Sequence, residues 1–174
     1  VSFEVCQKSL EKFSGTWRRF EKVGLAGENV IFSDYAHHPT EIESTLKAFK
    51  EFYPKNRLLV VFQPHQRQRT KKLFDEFTRC FDHSDVLILA DIYDVAGREE
   101  DEEEDLGFNL SQAINKKPLF FVRNLDDISK VIDEEVREDD VIIIMGAGTI
   151  DSVSRKLVNK NDLVIKEEEP LSKH

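Results

Sequence analysis

Short apolar runs, each followed by a stretch with helical periodicity, constrain the fold of this chain more than any other feature. The runs at residues 58–62, 86–89 and 141–144 contain no polar side chain. Such runs are typical of strands buried on both faces of a parallel sheet. Because parallel strands need crossover connections, the intervening helices are expected to cover both faces. We therefore predict an α/β domain with a Rossmann-like, three-layer architecture and a mostly parallel sheet.

The remaining elements follow from apolar periodicity and from the turn residues between them. Residues 17–23 and 30–33 are expected to form a hairpin that adds an antiparallel strand at one edge of the sheet. A further strand is predicted at residues 119–122. Helices are predicted at residues 3–13, 39–53, 66–81, 108–114, 125–136 and 150–157.

Composition excludes several classes of function. A formal charge of -9 argues against nucleic acid as a partner, because binding phosphates requires a basic surface. No apolar stretch approaches the length of a membrane span. Cys6 and Cys80 have no disulfide or metal spacing, so we expect free thiols in a reducing cytoplasm. The acidic run at residues 99–105 is expected to be a solvated loop.

Polar side chains follow two of the predicted strands directly, and a glycine-rich turn at residues 146–148 follows a third. The carboxyl ends of parallel strands meet at one edge of a sheet, where ligands bind in open α/β folds. These three turns are therefore predicted to form the functional site. The polar side chains are Asp34, Tyr35, His37 and His38 in the first turn, and Gln63, His65, Arg67 and Arg69 in the second.

The chemistry of these residues leaves alternatives open. The Arg69 guanidinium is suited to hold a carboxylate or phosphate, or it pairs with a surface acid. Asp34 is suited to accept hydrogen bonds from ribose hydroxyls, or it caps the next helix. His37 is a candidate catalytic residue that positions a substrate or passes a proton near neutral pH. The turn at residues 146–148 is either a phosphate cradle or only a tight turn.

Several signals are absent from the sequence. No phosphate-binding loop of the G-x-x-x-x-G-K-[ST] type occurs, and no serine or cysteine lies in a nucleophile elbow. No cluster has the spacing of a structural zinc site, so no metal ligands are predicted in this chain.

Five short segments together resemble a known family. They lie at residues 15–21, 34–42, 61–65, 69–70 and 145–148, and their order and spacing are similar to those of the C-terminal domain of the Mur ligases, in particular the alanine-adding members. The resemblance implies that residues 15–160 are this domain, that residues 1–14 are a helix bordering a missing central domain, and that residues 161–174 are a polar tail.

The resemblance also implies a reaction. ATP and Mg²⁺ would activate the carboxylate of UDP-N-acetylmuramate, and the amine of L-alanine would then displace phosphate to form an amide. The missing N-terminal and central domains would bind the UDP-sugar, the ATP phosphates and the metal. In this chain, Arg19 and Asp34 would contact ATP. The alanine site would be lined by Tyr35, His37, His65 and Arg69.

The sequence departs from the family pattern at one position. The family usually has an arginine directly after the Gln-Pro-His turn, but this chain has Gln66 there, followed by Arg67. One residue of helix rotates a side chain by about 100°, so Arg67 is not expected to replace the missing arginine. Two other functions stay open: a related ligase that acts on peptide in cell-wall recycling, and a stand-alone, non-catalytic nucleotide-sensing module.

Overall fold

The computed structural model describes residues 1–13, 15–94, 105–115 and 118–167, with side chains described through residue 159. Most of the predicted acidic loop and residues 168–174 of the predicted tail lie outside the described residues. The strands are β1 (Glu21–Ala26), β2 (Asn29–Asp34), β3 (Leu58–Phe62), β4 (Val86–Ala90), β5 (Leu119–Val122) and β6 (Val141–Met145). The helices are α1 (Phe3–Glu11), α2 (Pro39–Phe52), α3 (Arg67–Lys72), α4 (Phe74–Phe77), α5 (Leu106–Ala113), α6 (Leu125–Glu135) and α7 (Asp151–Glu167).

The six strands form one sheet in the order β1-β2-β6-β3-β4-β5. Neighbouring strands are parallel throughout the series β2, β6, β3, β4 and β5, and β1 pairs with β2 antiparallel at the edge. This arrangement confirms the predicted mostly parallel sheet with an antiparallel edge strand. Insertion of β6 between β2 and β3 places the ends of these three strands next to one another.

Two hydrophobic clusters cover opposite faces of the sheet, as expected for strands that are apolar on both sides. One cluster packs α2 and the segment around Phe77 and Phe81 against alternate residues of the central strands. The other packs α6 and α7 against the remaining strand residues. All residues of β3, β4 and β6 are buried, so the three-layer prediction is confirmed.

Three predicted elements need correction. The predicted strand at residues 17–23 begins only at Glu21, because Arg18 and Phe20 have φ values of +54° and +49°, which no strand accommodates. The predicted helix at residues 66–81 is broken at Leu73 into α3 and α4, followed by turns. The break still allows Phe77 and Phe81 to reach the core, so packing overrides helical periodicity there. The last helix extends to Glu167 instead of ending at residue 157.

An ion-pair network fastens the edge strand β1 to α7. Arg155 donates to both carboxylate oxygens of Glu21 at 3.0 and 2.8 Å and also contacts Asp151. The hydrogen bond from Arg155 lowers the pKa of Glu21 despite partial burial. Burial raises the pKa of Asp151, but hydrogen bonds from Ser33 and Arg155 outweigh it and leave this pKa lowered.

This network predicts a loss of stability in acid. Carboxylates with a lowered folded-state pKa stabilise the fold above the pKa of the unfolded chain, and this contribution is lost as the pH falls below about 4.5. Urea unfolding should therefore show that the free energy of unfolding decreases less between pH 7 and pH 3 in Arg155→Gln than in the wild type. We expect a difference of about 0.5–1 kcal/mol, because the pair is partly exposed. Lys130→Gln, which removes a well-exposed ion pair with Asp127, is the control and should leave this decrease in the free energy of unfolding unchanged.

Candidate functional site

The three turns named in the sequence meet at the carboxyl edge of the sheet. In the pairing of β2, β6 and β3, Met145 lies opposite both Asp34 and Phe62. The Gly146 amide donates to the Asp34 carbonyl at 3.1 Å, and the Gln63 amide donates to the Met145 carbonyl at 3.1 Å. The prediction that these turns converge is therefore confirmed.

The Asp34 carboxylate is held by backbone amides and does not cap α2. One oxygen accepts from the Phe20 amide at 2.7 Å, and the other accepts from the Ala36 amide at 2.8 Å. Asp34 is 5% exposed. Because each carboxylate oxygen has two lone pairs, both oxygens can accept one more hydrogen bond. Of the two interpretations of Asp34, helix capping is wrong.

The two adjacent histidines have different tasks. His38 caps α2: its side chain accepts from the Thr40 amide at 3.3 Å, while Glu41 accepts from the His38 amide at 3.2 Å. His37 Nδ1 lies 2.9 Å from the Tyr35 carbonyl, which can only accept, so Nδ1 carries the proton. This tautomer leaves Nε2 of His37 as the nitrogen that can accept a proton.

Glu41 contacts His37 as well as the capping residue His38. Its carboxylate accepts from the His37 amide at 3.0 Å and lies 3.5 Å from His37 Nδ1. Burial raises the pKa of Glu41, but the backbone hydrogen bonds of His37 and His38 and the charges of His37 and Arg19 outweigh it, so the pKa is lowered. A negative charge is therefore fixed next to His37 at neutral pH.

Four aromatic rings form a row along the edge. Tyr35 and His37 meet edge to face with centroids 5.4 Å apart. His37 and His65 lie 6.3 Å apart, and His65 stacks on Tyr93 at 5.5 Å with an angle of 20° between the rings. The row joins residues from the ends of β2, β3 and β4. Tyr93 was missed in the sequence, although its place just after a buried strand was a usable signal.

Two arginines flank Tyr35. The Arg19 guanidinium lies 5.1 Å from the Tyr35 ring centroid, and the Arg18 guanidinium lies 4.9 Å from it. Arg18 is 6% exposed and donates to the Gly146 carbonyl. Burial of Arg18 was also missed, because sequence gives no signal for which of two adjacent arginines turns inward. Arg19 and Asp34 line one groove of about 520 Å³ beside α2.

Arg67 and Arg69 differ in their surroundings. Arg67 Nε lies 2.9 Å from an Asp94 carboxylate oxygen, and the same carboxylate accepts from the Arg67 amide. Arg69 Nη1 is buried and has no hydrogen-bond partner within the part of the chain that the structure describes. Arg67 is thus engaged in an ion pair with Asp94, whereas Arg69 retains a donor for an anionic ligand.

Protein atoms alone account for both glycines of the third turn. Gly146 has φ +146°, and a Cβ there would lie 2.8 Å from the Gln63 carbonyl oxygen. A Cβ on Gly148 would lie 2.8 Å from the Tyr93 ring. Close packing therefore explains the glycines of this turn without a phosphate.

Three further observations concern metals, cysteines and membranes. No group of three or more His, Cys, Asp or Glu side chains in the described ranges could hold a metal ion. Cys6 and Cys80 are both free thiols, as predicted, the first exposed and the second buried. None of the described helices is both long and apolar enough to cross a membrane.

Comparison with known proteins identifies the domain. The model of the family described as Mur ligase, glutamate ligase domain, matches residues 18–148. The UDP-N-acetylmuramate–L-alanine ligase of Clostridium tetani is 46% identical over 145 residues, which make up 82% of this chain and 31% of that protein. The Clostridium botulinum protein of the same name (strain Hall) is 44% identical over 156 residues, 87% of this chain and 33% of that protein.

Solved structures agree with the family match. The UDP-N-acetylmuramate–alanine ligase of Thermotoga maritima has a TM-score of 0.70 and 27% identity, over 90% of this chain and 33% of that one. A murein peptide ligase of Psychrobacter arcticus, with a TM-score of 0.63, 24% identity and coverage of 95% and 33%, supports the fold alone. The chain spans about a third of the length of these relatives. It belongs to the Mur ligase family, and it corresponds to the domain that the family model describes.

Proposed function

We propose that this chain is the C-terminal domain of an ATP-dependent ligase that joins L-alanine to UDP-N-acetylmuramate in the synthesis of peptidoglycan precursors. The observation that carries the proposal is the 44–46% identity to proteins named for this activity. The convergence of the polar turns at one sheet edge supports it. Because the chain spans only a third of those relatives, the proposal requires N-terminal and central domains in the same protein.

The proposed task of Arg69 is to hold the carboxylate of alanine. Its buried Nη1 has hydrogen-bonding capacity left over in the described part of the chain, and a guanidinium matches a carboxylate in geometry. Tyr35, His37 and His65 would line the same site. With the carboxylate held, the amine can be aimed at the activated muramyl carbon, and such positioning supplies much of the rate enhancement.

His37 is proposed to handle the proton. The amine of alanine is protonated in water and must lose a proton before it attacks. Its nitrogen then bonds to the acyl carbon as the bond to phosphate breaks. The Nδ1–H of His37 donates to the Tyr35 carbonyl, which leaves Nε2 as the acceptor. The Glu41 carboxylate lies 3.5 Å from Nδ1 and would form an ion pair with the ring once it is protonated.

Arg19 and Asp34 are proposed to contact ATP. They line one groove, where the Asp34 oxygens can still accept from ribose hydroxyls and the Arg19 charge suits a phosphate. The described residues do not fit a metal site, so Mg²⁺ and the main phosphate contacts are assigned to the missing domains. The proposal places the activity in the cytoplasm.

Phosphate release tests the proposal and makes a prediction about the isolated chain. The full-length protein with ATP, magnesium and UDP-N-acetylmuramate should release phosphate only when L-alanine is added. The 174-residue chain alone should release none, because it lacks a phosphate-binding loop. Stimulation of the full-length protein by a cell-wall peptide with a free amino terminus in place of alanine would indicate the recycling activity. A reading frame that encodes no phosphate loop upstream of this segment would contradict the ligase.

A further inference from the structure

Tyr93 is fixed against His65 by its backbone as well as by its ring. The Tyr93 amide donates to the Pro64 carbonyl at 2.8 Å, and the Tyr93 carbonyl accepts from the Gln66 amide at 2.9 Å. These bonds form a parallel bridge between His65 and Tyr93 beyond the ends of their strands. The bridge sets the two rings side by side, stacked with centroids 5.5 Å apart.

Gly148 leaves the space that the base of the Tyr93 side chain occupies. A Cβ at residue 148 would lie 2.8, 3.0 and 3.2 Å from the Cγ, Cδ1 and Cβ atoms of Tyr93. The 2.8 Å distance is shorter than real Cβ contacts and the other two are tight. All three atoms belong to the base of the side chain, which cannot swing away without moving the ring. Only glycine at this position therefore allows Tyr93 to lie where it stacks on His65.

We propose that Tyr93 is a positioning residue that holds the His65 imidazole in place for the amino-acid substrate. Glycine is required at position 148 because the Tyr93 side chain occupies the space beside it. This inference rests on the function proposed above. His65 lies between His37, whose ring is 6.3 Å away, and Tyr93. Removing the Tyr93 ring would remove the stacking contact that orients the His65 imidazole, and a lining residue displaced by about 1 Å weakens substrate positioning.

The aromatic ring of Tyr93, not its hydroxyl group, should matter. A stacked aromatic pair stabilises an arrangement through its faces, by an amount that corresponds to a roughly 2- to 10-fold change in an equilibrium. In the full-length enzyme we therefore expect Tyr93→Ala to raise the KM for L-alanine roughly 3- to 10-fold, while the KM for ATP stays unchanged. Tyr93→Phe, which keeps the ring, should stay within about twofold of the wild type.

A double-mutant cycle tests the link to Gly148. Gly148→Ala should raise the KM for alanine about as much as Tyr93→Ala does, because its Cβ displaces the same ring. The double variant Gly148→Ala/Tyr93→Ala should be no worse than Tyr93→Ala, since the clashes with Cγ and Cδ1 are gone and only the 3.2 Å approach to the Cβ of residue 93 remains. Additive losses, equal damage from Tyr93→Phe and Tyr93→Ala, or a parallel rise in the KM for ATP would each overturn the inference.

A spectroscopic measurement on the 174-residue chain does not depend on ligase activity. The ring current of Tyr93 should shift the His65 ring protons, which are assigned by comparison with His65→Gln. Tyr93→Phe should preserve this shift, whereas Tyr93→Ala and Gly148→Ala should move the signals toward random-coil positions. Unchanged signals in both alanine variants would overturn the positioning. A preserved pattern together with a full-length protein that ignores alanine would reject the proposed function alone.

Discussion

Replacement of Arg69 by alanine in the full-length enzyme should lower kcat/KM for L-alanine by roughly 30- to 1000-fold while leaving the KM for ATP nearly unchanged. Loss of a charge-assisted contact in a closed, dry site costs on the order of 2–4 kcal/mol, which corresponds to this range. Arg69 is expected to hold the carboxylate almost alone, because Gln66 stands where the family usually has a second arginine and Arg67 is paired with Asp94.

Steady-state kinetics with each substrate varied in turn measure this effect. Arg67→Ala is the matched control: it removes the neighbouring arginine and its ion pair, and it should change the KM for alanine by less than about threefold. Equal losses for ATP and alanine in Arg69→Ala would show that this arginine maintains the fold or the closed state and does not select the amino acid.

A companion substitution tests the departure from the family pattern. Gln66→Arg should lower the KM for alanine if the pocket keeps the family shape. Gln66 precedes α3 with φ +73°, a backbone conformation that strains glutamine and arginine alike, so arginine adds no new strain there. A higher KM would mean that the second arginine no longer points into the pocket.

Much of the fold could be predicted from the sequence because strands buried on both faces appear as continuous apolar runs. The predicted runs at residues 58–62 and 119–122 coincide with β3 and β5. The order of the strands was not predictable in detail, since the insertion of β6 between β2 and β3 depends on contacts distant in sequence. The break in the helix at Leu73 was also not predictable. The apolar side chains after it reach the core whether or not the helix is continuous, so their spacing does not reveal the break.

The site was predictable where a residue directly follows a strand, and less so elsewhere. Asp34 and His65 lie at strand ends, so their convergence followed from the parallel topology alone. The division of labour between His37 and His38 was not predictable, because only backbone geometry decides which ring caps α2. Tyr93 reaches the site through its stack on His65 and through the space left by Gly148, both of which are tertiary contacts.

The last prediction concerns Gly146, where both the backbone conformation and the space beside it oppose a side chain. Gly146→Ala should lower the free energy of unfolding by about 2–6 kcal/mol, a large part of the 5–15 kcal/mol typical of a domain. A φ of +146° in a residue with a side chain costs on the order of 1–3 kcal/mol. The Cβ would also lie 2.8 Å from the Gln63 carbonyl oxygen, and overpacking of this kind adds about 1–3 kcal/mol.

Gly27→Ala separates these two causes. Gly27 lies in the turn between β1 and β2 with φ +61°, and a Cβ there would meet no atom within 4 Å. It therefore carries only the conformational cost of about 1–2 kcal/mol. Urea unfolding of both variants should show Gly146→Ala losing clearly more stability.

Since the Gly146 amide donates to Asp34 and its carbonyl accepts from Arg18, the shift of this turn should also weaken alanine and ATP binding together. Equal destabilisation by the two substitutions would mean that the Gln63 carbonyl moves aside freely, and that the three strand ends are joined less rigidly than their contacts indicate.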